Sequence, residues 1–128
     1  MTTKFTSDHE WINIEDHDAA VVGITLHAQE ALGDVVFVEL PAVGKSLRRG
    51  EIAGVVESVK AAADLFMPVS GEIVEVNEAL EDQPEQLNSD PYGAWIVKIK
   101  PADAGELDAL MDAAAYEAFV AAEEAGGH

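Results

Sequence analysis

A mainly β fold follows from three features of this sequence, with helix confined to one short early segment and the C-terminal end. Short runs of alternating apolar and polar residues recur between Gly, Pro, Asn and Asp breakers, as strands between turns do. A seven-residue pattern, GDVVFVE (33–39), returns as GEIVEVN (71–77): glycine, acid, two β-branched residues, any residue, valine, polar. The repeat fits a sheet structure of two similar halves, each burying the other's apolar face; it also fits two unrelated strands. From Pro101 the composition shifts to Ala, Leu and Glu, which favour helix.

In chain order, HEWINIE (9–15) alternates Trp11, Ile12 and Ile14 with polar residues and predicts a strand. DHD (16–18) predicts a turn, and AAVVGI (19–24) the returning arm of a hairpin. Thr25 is placed to cap a short helix, LHAQEAL, which Gly33 ends. DVVFVEL (34–40) predicts a strand stopped by Pro41, and residues 41–50 a turn-rich link broken at Gly44 and Gly50. A hairpin follows, with arms at 51–59 and 61–67 and Lys60 at the tip. PVSG (68–71) turns the chain into the strand EIVEVN (72–77). The acidic segment 78–93, broken by Pro84, Pro91 and Gly93, predicts a loop with at most one helical turn, and AWIVKIK (94–100) a last strand. Beyond it, Leu107, Leu110 and Met111 share one helical face and Tyr116, Phe119 and Val120 another, so two short helices or one broken helix should pack on the sheet. The tail from Glu123 is expected to fray.

The 128 residues suit one domain, and 48% apolar content supports a core without metals or crosslinks. With 25 acids against 7 bases, the net charge of −18 argues against nucleic acid and against anionic membrane surfaces. It favours encounter with basic faces of partner proteins. No apolar run is long enough to span a bilayer, and MTTKFTSDHEW reads neither as a signal peptide nor as an Arg-rich leader. A cytoplasmic protein is expected, or an organelle protein whose leader has been removed. Cysteine is absent, so any redox chemistry must come from an added group.

One base stands apart. In GVVESVKAAADLF (54–66), Lys60 is flanked by Val59 and by Ala61, Ala62 and Ala63, none bulky and none charged. A hairpin tip projects into solvent, where another enzyme can engulf it. Glu57 and Asp64 favour the ammonium form, so the amine is poorly set as a resident Schiff-base nucleophile and better suited to being modified. An ordinary solvated turn lysine fits the same residues. His9, His17 and His27 fall on different predicted elements, and HEWIN lacks the second histidine of HExxH, so no metal site is expected. Neither a nucleophile elbow nor a Gly-rich phosphate loop occurs, and no catalytic residue is assigned.

The segments HEW, VGIT with AQEALGDVVFVELP, GVVESVKAAADL, PVSGEIVEVNEAL and DPYG-W-KIK occur in order from about Lys4 to Tyr116, and together they resemble the H protein of the glycine cleavage system. Biotin carriers usually have Met on both sides of the lysine, and 2-oxoacid dehydrogenase lipoyl domains lack HEW and the helical C-terminus. The resemblance implies a flattened β-sandwich, a barrel-sandwich hybrid of two small antiparallel sheets, in one lipoyl-carrier domain over 1–128, with a core of about 4–100 and a helical extension of about 103–125. It implies lipoic acid in amide linkage on Lys60 and no catalysis by the chain itself. The carrier would shuttle the aminomethyl group of glycine from a pyridoxal-phosphate glycine decarboxylase (P protein) to a folate-dependent aminomethyltransferase (T protein). A dihydrolipoyl dehydrogenase (L protein) would then reoxidise it. A relay of lipoyl groups to other lipoyl domains is the alternative within the same class.

Glu10 and Asp64 match positions associated with a cleft that holds the loaded arm, and Glu57 a position read by lipoylating enzymes. Asp8 stands where a hydroxyl residue can occur, AAAD (61–64) lacks a usual Ser or Thr, and DPYGAW is one residue short. These departures bear on the cleft rather than on Lys60. No heptad or apolar patch suggests more than a monomer.

Overall fold

The computed structural model describes residues 2–16 and 19–126. Strands β1 (Thr2–Phe5), β2 (Glu10–Asp16) and β3 (Ala19–Ile24) form an antiparallel meander, and the predicted turn residues His17 and Asp18 lie outside the described residues. Helix α1 (Leu26–Leu32) begins where Thr25 Oγ1 accepts from the N–H of Ala28 at 3.2 Å. It ends at Gly33, whose φ of 79° and ψ of −149° suit only glycine. Strands β4 (Val35–Glu39), β5 (Ser46–Leu47), β6 (Ile52–Ser58), β7 (Ala62–Phe66) and β8 (Gly71–Val76) follow.

Two single-turn helices, α2 (Ala79–Asp82) and α3 (Gln86–Ser89), interrupt the segment expected to be a loop with at most one turn. Burial explains them: Leu80 and Leu87 are both fully buried, and each turn of helix satisfies its own backbone while delivering one leucine to the core. Strand β9 (Val97–Pro101) starts three residues later than expected, and helices α4 (Ala104–Asp108) and α5 (Ala113–Gly126) complete the chain. The tail expected to fray from Glu123 is helical through Gly126.

The strands form two antiparallel sheets, one of six strands in the order β1-β2-β3-β9-β8-β5 and one of three in the order β4-β6-β7. The repeated segments supply one strand to each sheet, β4 and β8, but with six strands against three the two sheets are not similar halves. Ile12, Val22, Ile73 and Ile99 from the larger sheet share a single core with Val38, Val56 and Leu65 from the smaller. Full burial of each such side chain stabilises the fold by about 1.5–3 kcal/mol. In β4 both Val35 and Val38 are buried although three apart, because a register shift between Val35 and Phe37 inserts one extra residue.

A second cluster lies outside the first. Tyr116, Phe119 and Val120 of α5 pack with Met111 on Phe5 and Trp11, and the Phe5 and Tyr116 rings stack 4.7 Å apart. Phe5 and Met111 exchange both backbone hydrogen bonds, which covers the free side of β1. Gly23 is required here: Trp11 lies flat on it, and a Cβ would fall 2.5 Å from the indole. Among the described residues no helix is long and apolar enough to cross a membrane.

Candidate functional site

The β6–β7 turn is organised by one side chain. Ser58 Oγ accepts from the N–H of Ala61 at 3.0 Å and of Lys60 at 3.3 Å, and donates to the Ala61 carbonyl at 3.1 Å. The Ser58 N–H donates to the same carbonyl at 2.7 Å, and the Val59 N–H reaches the Asp34 carbonyl at 3.0 Å. Every N–H of the turn therefore has an acceptor, and the tip is a fixed point. Val59, Lys60, Ala61 and Ala62 are all exposed.

The Lys60 stem lies back over Gly33 at the end of α1, where a Cβ would stand 3.4 Å from Lys60 Cε. Gly33 thus both stops the helix and leaves the lysine a bare backbone to cross. Asn88, on α3, holds that backbone in place: its amide donates to the Gly33 carbonyl at 2.7 Å and its carbonyl accepts from the Val35 N–H at 2.8 Å. Among the described residues, Lys60 Nζ makes no ion pair or hydrogen bond.

Beside the turn lies a cleft of about 320 Å³. Ala61 to Asp64 form one wall, Ala28, Ala31 and Leu32 of α1 another, and the corner of Asp8, His9 and Glu10 closes the end. Glu10 and Asp64, matched separately in the sequence, line this one cleft. Glu57 does not; it stands on the exposed face of the smaller sheet, paired across strands with Phe37 and Ala62.

Glu10 is 2% exposed. Its Oε2 accepts from the Phe66 N–H at 2.5 Å, on the side of β7 that faces away from β6, and its Oε1 accepts from the Thr6 hydroxyl at 3.3 Å. Burial pushes the carboxyl from its ordinary 4.5 up to about 8; the Phe66 N–H pulls the other way, and the Asp8 charge adds to the rise. Glu10 is therefore largely protonated at neutral pH, while Asp64 is exposed. The cleft thus offers one proton-bearing carboxyl and one open carboxyl.

The corner carrying Glu10 is held from far along the chain. His9 has φ 65°, a left-handed conformation that is uncommon outside glycine. Its Nδ1 lies 2.8 Å from Tyr116 Oη, which lies 2.8 Å from Thr25 Oγ1. Burial raises the Tyr116 hydroxyl above its ordinary 10.0, so it stays protonated at neutral pH. His9 and His27 lie on different elements, as expected, yet the fold brings their ring centroids to 4.3 Å; His17 lies outside the described residues. Ser58, Asn88 and Tyr116 are the supporting residues that sequence reasoning missed. Only Ser58 left a local signal, a hydroxyl two residues before the turn lysine.

Residues 3–123 match the family model described as glycine cleavage H-protein. The chain is 59% identical over 118 residues to the glycine cleavage system H protein 2 of Pseudomonas syringae pv. tomato, covering 91% of this chain and 92% of that one. It is 60% identical over 114 residues to the glycine cleavage system H protein of Chromobacterium violaceum, covering 88% and 89%. The crystal structure of a glycine cleavage system H protein from Mycobacterium marinum superposes with a TM-score of 0.83 at 43% identity, covering 99% of this chain and 98% of that one.

Proposed function

We propose a specific role for this chain, which belongs to the glycine cleavage H-protein family: Lys60 carries lipoic acid in amide linkage, and the arm returns its cargo to the cleft between Glu10 and Asp64. The family is lipoyl-bearing, and this chain is a carrier rather than a catalyst. It takes the aminomethyl group of glycine from the decarboxylase (P protein) to the folate-dependent aminomethyltransferase (T protein) and is reoxidised by dihydrolipoyl dehydrogenase (L protein). It works as a monomer in the bacterial cytoplasm, with residues 1–128 as one domain.

The observation that carries this reading is the position of Lys60: exposed, without a partner among the described residues, on a turn whose N–H groups are all bonded, one residue from the wall of a cleft. Bound there, lipoic acid would supply a reversible dithiol–disulfide pair, which a chain without cysteine lacks. The chain's own residues do the rest. Ser58 fixes the point of attachment, and the small residues around Lys60 leave room for the enzyme that modifies it. Glu57, on the open face beside the turn, is set for that enzyme to read. Lysine and lipoyl together reach on the order of 10–15 Å, enough to enter a cleft that begins at Ala61. An ammonium arriving there meets the Asp64 carboxylate and the Glu10 carboxyl, the partners that charge-assisted hydrogen bonds require. A single tether keeps that cargo at high effective concentration for docked partners.

Intact-protein mass spectrometry after co-expression with a lipoylating enzyme tests the assignment. One adduct is expected, on the peptide containing Lys60. An adduct on another lysine, or none, overturns it.

A further inference from the structure

The corner that closes the cleft has a second, outward face. His9, on the loop between β1 and β2, His27 on α1 and Glu123 on α5 converge there from three separate elements. Glu123 Oε1 lies 3.1 Å from His9 Nε2 and 3.9 Å from His27 Nε2, and all three donor atoms fall within 4.8 Å of one another. We propose that these three side chains bind a divalent transition-metal ion of the zinc type.

Tetrahedral coordination at zinc-to-nitrogen and zinc-to-oxygen distances of about 2.0–2.2 Å places neighbouring donors roughly 3.3–3.5 Å apart. The two separations to Glu123 bracket that value, and the third, within 4.8 Å, closes by rotation of the more exposed His27 and Glu123 side chains about a fixed His9. A hydrogen bond between His9 and Glu123 accounts for one side of the triangle. The His27 ring packs on that of His9 and brings a second Nε2 toward the same carboxylate oxygen, so two imidazoles and one carboxylate share one point.

The outer contacts also suit a ligand histidine. His9 Nδ1 sits on the Tyr116 hydroxyl, which rests on Thr25, so Nδ1–H can donate to Tyr116 Oη while Nε2, which reaches Glu123 through its proton in this structure, exchanges that proton for the ion. Such a partner fixes the ring and its tautomer in metal sites generally. The backbone of His9 is left-handed, a conformation that persists where the surroundings over-determine it. Two imidazoles with one carboxylate select zinc, cobalt, nickel or copper over magnesium and calcium. The exposed rim leaves the fourth position to water, and a net charge of −18 raises the local concentration of cations. The ion would tie α5 to the corner that carries Glu10.

Titration of the untagged full-length chain with zinc chloride, followed by calorimetry and by histidine side-chain NMR, tests the site. About one equivalent should bind in millimolar magnesium, with shifts at His9 and His27 but not at His17 or His128. His27→Ala and Glu123→Gln should each weaken binding by about 10–100-fold. Both residues lie partly in solvent, so neither variant threatens the fold. The proposal is overturned by absence of binding, by displacement with magnesium, or by affinity unchanged in both variants. Those last two outcomes would identify the acidic surface as the binder.

Discussion

The two regions that meet at the cleft are built in opposite ways. The Lys60 turn is mostly local: Ser58 satisfies the N–H groups of Lys60 and Ala61 within three residues, only the Val59 N–H reaches outside, to the Asp34 carbonyl, and residues 59–62 are exposed. The corner of Asp8, His9 and Glu10 is held at a distance. His9 sits in a left-handed conformation, gripped by Tyr116 and Glu123, which lie 107 and 114 residues away in sequence. Outside itself the lysine turn leans only on the nearby Gly33–Asp34 backbone, whereas the corner depends on the C-terminal helix. A change at Lys60 should leave the fold intact, and a change at the buried contacts of the corner should not.

The sharpest way to break this comparison is Lys60→Arg. Modification should be abolished entirely while stability in urea changes by less than about 0.5 kcal/mol, as for other exposed sites. A large loss of stability would show that the turn is not independent.

At the corner, Glu10 makes stability depend on pH. Its carboxyl has an ordinary value of 4.5 and stands at about 8 in the folded chain, so between those values the folded state holds a proton that the unfolded state has released. Stability contributed by this group is full below about 4.5 and falls as pH rises through 8. Glu10→Gln, which keeps an acceptor for the Phe66 N–H, should flatten the profile relative to wild type, by up to about 1.4 kcal/mol per pH unit at the steepest point. Parallel profiles would mean that the carboxyl is ionised in place.

Tyr116→Phe removes the hydroxyl shared by His9 and Thr25 and should cost about 1–3 kcal/mol, read by chemical denaturation, with lipoylation of Lys60 unaffected. The smallest effect concerns the open carboxyl. Asp64→Asn should leave stability and modification intact and shorten the lifetime of the aminomethyl-loaded form a few-fold. An unchanged lifetime would show that Asp64 does not hold the cargo.

What could be read from the sequence follows the same division. Thr25 as a cap, Gly33 as a stop, the hairpin arms and Lys60 at its tip all depend on residues within a few positions of one another, and the structure has each of them. Long-range packing was not legible. Leu80 and Leu87 draw two helical turns out of a Pro-broken acidic segment, and only their burial explains why. Ser46 and Leu47 become a strand because β8 lies beside them. Glu10 could be matched to a cleft, but its proton comes from burial that no local pattern reveals. The meeting of His9 with His27 and Glu123 required the C-terminal helix to be placed first.

Glu10 also sits at the open edge of the smaller sheet. Strand β7 is the last in its sheet, and its outward N–H groups are a template on which a strand from another molecule could zip. By taking the Phe66 N–H, a side chain from the opposite sheet blocks that template, and the charge of Asp64 discourages a newcomer alongside. At Phe66 the edge of β7 is thereby closed to pairing with a strand of another copy.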